Sequence, residues 1–82
     1  MKLGTVTGSV WATRKDDGLT GQTLLCIDVD GKHIIAADRV GAGTGDRVLI
    51  AYGAAARAGQ PDVPTDAAVV AILDSVGGFP CQ

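Results

Sequence analysis

Residues 23–40, Thr23-Leu24-Leu25-Cys26-Ile27-Asp28-Val29-Asp30-Gly31-Lys32-His33-Ile34-Ile35-Ala36-Ala37-Asp38-Arg39-Val40, decide the fold class. Leu25, Ile27 and Val29 alternate with Leu24, Cys26 and Asp28, and a period of two is that of a strand with one buried face. Asp30-Gly31 follows at once. That dipeptide between apolar runs is the strongest short hairpin signal, because a two-residue turn with the right twist needs positive φ at both positions. A second strand, His33 to Val40, leaves the turn directly. The segment reads as a β-hairpin.

Upstream, residues 2–12 alternate in the same way, with Leu3, Thr5, Thr7, Ser9 and Trp11 set against Gly4, Val6, Gly8, Val10 and Ala12. Gly4 and Gly8 share a face with Val6 and Val10; glycine in a strand interior implies strong coiling or a close neighbour, as at a barrel corner. Arg14-Lys15-Asp16-Asp17-Gly18 is a polar turn. Downstream, Gly41 to Asp46 is a turn-rich break and Arg47 to Tyr52 a fourth strand. Gly53-Ala54-Ala55-Ala56-Arg57 favours one or two helical turns through its three alanines. The segment 58–64, with Pro61 and Pro64, is an irregular loop. Thr65 is placed to cap a short turn over 65–68. Val69 to Val76 is the last strand, and Gly77-Gly78 releases a short tail, 77–82. The expectation is a single all-β domain over 1–82. It is a small five-stranded OB-like β-barrel with one short helical element between the fourth and fifth strands.

Composition narrows the function classes. A chain of 82 residues buries only about 60–65% of its unfolded surface, so extra burial has to come from disulfides, metals or oligomerisation. Cys26 stands in an apolar run and reads as core, and Cys81 is next to the C-terminus; no Cys-x-x-Cys or Cys/His cluster exists. Oligomerisation is left as the source of further burial. A net charge of −2 argues against a nucleic-acid or anionic-membrane partner. Trp11, Tyr52 and Phe79 are the only aromatics, too few for the stacking platforms of single-strand binders. No apolar run reaches the length of a membrane span. Residues 1–8 lack the apolar core of a signal peptide, so a cytoplasmic location is expected.

The sequence holds little that points to catalysis. His33, the single histidine, stands just past the hairpin turn and reads as a solvated strand residue without partners for base or ligand chemistry. Gly41-Ala42-Gly43-Thr44-Gly45 lacks the Gly-Lys-Ser/Thr of a phosphate loop and precedes a strand, so it reads as a structural turn. Asp38 sits in an otherwise apolar strand, and a charge there should be paired or at an interface. No cofactor is implied and the expectation is a non-enzyme.

Ordered motifs over nearly the whole chain carry a resemblance. They begin with Leu3-Gly4-x-Val6-x-Gly8-x-Val10-Trp11-Ala12-Thr13-x-Lys15 and Leu19-x-Gly21-x-x-Leu24-Leu25. They continue with Ala36-Ala37-Asp38-x-Val40-Gly41-Ala42-Gly43-x-Gly45, Val48-Leu49-Ile50 and Gly53-x-Ala55-Ala56-Arg57, and end on Asp66-Ala67-Ala68-Val69-Val70-Ala71-Ile72-Leu73-Asp74-x-Val76. This set closely resembles the carboxysome and ethanolamine-utilisation vertex proteins, the CcmL/EutN family of microcompartment shell pentamers. Two departures are visible: the loop after Val29 and the tail after Val76 are both short.

The resemblance implies an OB-related barrel that forms a cyclic homopentamer among hexameric shell tiles, in the shell of a cytoplasmic microcompartment. Hexamers alone tile a flat sheet, so a closed polyhedron needs five-fold corners. A five-fold ring uses a heterologous interface, one face of each subunit meeting a different face of the next. The candidate interface residues are the small Gly41, Ala42, Gly43, Ala54 and Ala55, which permit close approach, and the charged Asp38, Arg39 and Arg57, which can fix register. A shell part also implies an axial opening, for which the turns carrying Arg14, Lys15, Thr44 and Gly45 are candidates. The rival reading, an OB-fold nucleic-acid or ligand-binding module, fits the strand count but lacks the electrostatic footprint and any convergent polar constellation.

Overall fold

The computed structural model describes residues 1–11, 17–19, 21–59 and 64–74. Five strands run in the order β1 (Lys2–Val10), β2 (Thr23–Val29), β3 (Lys32–Asp38), β4 (Arg47–Tyr52) and β5 (Ala67–Ile72). They close into a barrel with neighbours β1-β2-β3-β5-β4. Every pairing is antiparallel except β3 with β5, a short parallel contact through Ala37↔Ala68 and Asp38↔Val69. This is the expected five-stranded OB-like architecture. The helical element between β4 and β5 is a 3-10 helix over Gly53–Arg57, and a second 3-10 turn occupies Asp17–Leu19, overlapping the end of the segment 14–18 that the sequence suggested was only a polar turn.

The hairpin forms as its residues dictate. Asp30 at φ 53° and Gly31 at φ 82° supply both left-handed positions, and the arms pair from Val29↔Lys32 to Thr23↔Asp38. The Asp28 side chain adds a clasp, its Oδ1 accepting the Gly31 N–H at 3.0 Å.

The barrel interior is filled by Val6, Leu25, Ile27, Val29, Ala36, Val48, Ile50, Ala67 and Val69. Leu25, Ile27 and Ile50 are fully buried, and side chains of this kind contribute roughly 1.5–3 kcal/mol each when removed from water. At Gly4 β1 lies tightly against β2. A Cβ placed there would lie 2.6 Å from Ile27 Cγ2 and 3.0 Å from the Asp28 carbonyl oxygen. Gly8 differs, with nothing within 4 Å of such an atom, so the close-neighbour explanation holds for Gly4 alone. Between them β1 slips register against β2, Val6 facing Ile27 and Gly8 facing Cys26. Thr7 is thus an extra residue, and a bulge of this kind coils the strand around the barrel.

Four details depart from the sequence reading. β1 stops at Val10, and its alternation is interrupted by the bulge. β3 ends at Asp38 instead of Val40, because Asp38 turns its carboxylate to the following backbone. β5 occupies Ala67–Ile72, two residues earlier at its start and four at its end than expected. Thr65 therefore caps no helical turn. Its hydroxyl donates to the Ala67 carbonyl at 2.7 Å and accepts the Ala67 N–H at 3.3 Å, steering the chain into β5. Finally, Cys26 is not core: it lies half-buried on the outer face of β2, opposite the alternation of Leu25 and Ile27.

Candidate subunit interface

Asp38 organises the first part of the site. Its Oδ1 accepts the backbone N–H groups of Val40 and Gly41, each at 3.1 Å, and of Ala42 at 3.3 Å. The charge that seemed out of place in an apolar strand is thus matched by three donors of its own chain, which meets the requirement that a partly buried carboxylate be hydrogen-bonded. Asp46 fastens the other end of the same loop, its Oδ2 accepting the Gly43 N–H at 2.8 Å. The loop is then stitched to β1 by Gly45 N–H to Val6 O at 2.8 Å and Val6 N–H to Asp46 O at 2.9 Å. Gly41 and Gly45 hold φ of 79° and 92°, left-handed values at which glycine is the residue without a Cβ penalty.

The second part is the 3-10 helix. It packs on β4 and β5, and its Ala56 is buried while Ala54 and Ala55 are exposed. Beneath lies a row of alanines across three strands, Ala51↔Ala68↔Ala37, all buried although they face away from the barrel interior. Small side chains there let backbone approach backbone. Arg39 links the two parts: its Nη1 donates to the Ala58 carbonyl at 2.6 Å. Arg57 closes the far side, Nη1 donating to the Thr65 carbonyl at 2.9 Å, next to a Gly53 N–H to Asp66 O bond of 2.8 Å.

The structure therefore brings the sequence candidates together. Asp38, Arg39, Gly41, Ala42 and Gly43 on the β3–β4 loop are joined to Ala54, Ala55 and Arg57 on the 3-10 helix through the Arg39–Ala58 bond. Thr44 and Gly45 sit exposed at the tip of the same loop. Arg14 and Lys15 lie outside the described residues.

Sequence reasoning missed the apolar component of the outer surface. Ile35 is 48% exposed and Trp11 is 93% exposed. Ile35 pairs with the half-buried Cys26, and Ala37 with the half-buried Leu24. The signal was present: Ile34-Ile35-Ala36-Ala37 does not alternate, and a strand apolar on both faces is one that expects cover on both.

Elsewhere the surface offers two open clefts around the start of β1 and the β2–β3 turn. One, of about 520 Å³, is lined by residues 1–5 with Asp28, Asp30, Gly31 and Arg47. The other, of about 320 Å³, lies between Lys2, Val29, Asp30, Lys32, Ile34 and Tyr52. Neither gathers His33 or Cys26, and among the described residues no three His, Cys, Asp or Glu side chains come together as metal ligands. His33 is exposed, as its position beside the turn suggested.

The fold and the sequence are shared with known proteins. Residues 1–74 match the family described as ethanolamine utilisation protein EutN/carboxysome. The carboxysome shell vertex protein CcmL of Thermosynechococcus vestitus is 45% identical over 85 aligned residues, spanning 93% of this chain and 86% of that protein. A solved ethanolamine utilization protein, EutN, superposes with a TM-score of 0.87 at 36% identity, covering 95% of this chain and 91% of the other. The pentameric microcompartment shell protein GrpN of Rhodospirillum rubrum superposes with a TM-score of 0.81 at 37% identity, covering 98% of this chain and all of that one. Matched by the family over residues 1–74 and similar over nearly its whole length to these relatives, this chain belongs to the EutN/CcmL family.

Proposed function

We propose that the chain is a shell vertex protein, five copies of which form a ring closing a corner of a polyhedral bacterial microcompartment in the cytoplasm. The observation that carries this reading is the near end-to-end likeness to the pentameric shell protein GrpN, joined to the family match over residues 1–74. The role is architectural and non-catalytic, a reading supported by relatives that are shell vertex proteins. Its partners are other copies of itself and the hexameric tiles that surround a five-fold corner. The heterologous ring contact draws on the surface built by the β3–β4 loop and the 3-10 helix on one side, and on the outer apolar face of β2 and β3 on the other. Thr44 and Gly45, at the loop tip, and Arg14 and Lys15 remain the candidates for lining an axial opening.

Native mass spectrometry of the purified chain is the direct test. The expected species has five times the 8.3 kDa chain mass; a monomer or dimer at micromolar concentration overturns the ring. Co-expression with hexameric shell proteins extends it to function. Closed polyhedra are expected with the chain present, and open sheets or tubes without it.

A further inference from the structure

The charged residues that look like inter-subunit register pins are occupied inside their own subunit. Asp38 gives one oxygen to three backbone N–H groups. Arg39 gives a guanidinium N–H to the carbonyl of Ala58, and Arg57 one to that of Thr65. None of these contacts is an ion pair; each joins a side chain to backbone. Arg39 and Arg57 moreover hold two points of one excursion, the chain between β4 and β5: Ala58 just past the 3-10 helix, and Thr65 near the start of β5. Arg39 reaches it from the β3–β4 loop, and Arg57 fixes its return at the residue before the Gly53–Asp66 bond.

From this we infer that Arg39 and Arg57 are positioning residues. They lock the 3-10 helix and the β3–β4 loop into one prebuilt platform, and the ring contact itself is made by the neutral, small residues that the platform presents. This rests on the ring proposed above and specifies how its surface is held. Preorganisation of this kind strengthens association by removing the ordering cost from the binding step. It also explains a mismatch in the sequence: a segment carrying five glycines between Gly41 and Gly59 would be costly to order without side-chain clamps.

The test compares Arg39→Met and Arg57→Met in the full chain, reading two quantities. Amide exchange at Ala58, which donates to Ala55 O, and at Gly53, which donates to Asp66 O, reports the clamps. Native mass reports the ring. The expected result is exchange at least tenfold faster at Ala58 in Arg39→Met and at Gly53 in Arg57→Met, with dissociation of the ring at tenfold higher protein concentration than wild type. Arg57→Glu should weaken the ring no more than about twofold beyond Arg57→Met, since both lose the donor and the lost charge is not responsible. Arg57→Lys, which keeps a donor, should recover most of the loss. Unchanged amide exchange with a weakened ring, or a Glu variant far worse than the Met variant, would overturn the inference and make these arginines direct inter-subunit partners. If wild type forms no ring, the functional proposal fails while the exchange data still decide whether the clamps exist.

Discussion

At the residue scale, two glycines of one strand are asked to do different things. Gly4 and Gly8 look equivalent in sequence, four apart on the same face of β1. In the barrel Gly4 lies against Ile27, Val29 and the Asp28 carbonyl, whereas Gly8 faces open space after the bulge. Gly4→Ala forces a Cβ to within 2.6 Å of Ile27 Cγ2 unless backbone yields, and overpacking of this kind costs about 1–3 kcal/mol. Gly8→Ala meets nothing and removes conformational freedom from the unfolded chain, so it should stabilise by about 0.5–1 kcal/mol. Thermal unfolding at one fixed protein concentration separates the two, at roughly 4–8 °C per kcal/mol for a domain of this size. Equal effects of the two substitutions would contradict the packing described here. Nothing in the period-two pattern distinguishes these positions, because the bulge that separates them depends on how tightly β1 coils around its neighbours. Cys26 teaches the same lesson from the other side. Its neighbours Leu25 and Ile27 are core, and a strand's alternation already placed Cys26 opposite them; the habit of free cysteine to be buried was the weaker guide.

Among the elements, legibility tracks how local the determining interaction is. The β2–β3 hairpin and β4 could be read closely, since a turn dipeptide and a short apolar run bounded by glycine-rich breaks are short-range signals. The hairpin turn gives a sharp prediction. Gly31 has φ 82° with nothing within 4 Å of a would-be Cβ, so Gly31→Ala imposes only the left-handed backbone penalty of about 1–2 kcal/mol. Asp30→Asn, equally suited to the left-handed position, should change stability by no more than a few tenths of a kcal/mol. Urea titrations of both variants, with unchanged m-values, would confirm that the turn and not the core is affected; a neutral Gly31→Ala would remove the turn from its assigned role. The start of β5 was less legible. Ala67 and Ala68 have helical propensity, yet they are drawn into the sheet, where Ala68 pairs with Ala51 of β4 and Ala37 of β3 and closes the barrel. That pairing joins strands far apart in the sequence, which is why no local pattern announces it. The same holds for the site: its members were nameable from resemblance, but the Arg39–Ala58 and Arg57–Thr65 bonds that assemble them depend on the closed barrel.

For the whole molecule, the question is what a barrel this small does with its remaining apolar surface. Ile35, Val40, Tyr52 and Ile72 are each more than a third exposed, and Trp11 is almost wholly so. A chain of 82 residues has little margin to leave such area in water. If ring formation covers it, folding and assembly are linked by mass action, and stability cannot be a property of one chain alone. Five unfolded chains returning to one ring place four-fifths of RT ln of the protein concentration in the stability per chain. A tenfold rise in concentration then adds about 1.1 kcal/mol per chain, since a full factor of ten is worth about 1.4 kcal/mol. The unfolding midpoint should accordingly climb by roughly 4–9 °C for each tenfold increase in concentration. A chain that folds and unfolds as a monomer would show the same midpoint at every dilution. The size of the slope carries further information, because a dimer would contribute only half of RT ln concentration per chain and so give little more than half of the predicted rise. Differential scanning calorimetry over two decades of concentration therefore reads out both whether association supports the fold and how many chains take part in it.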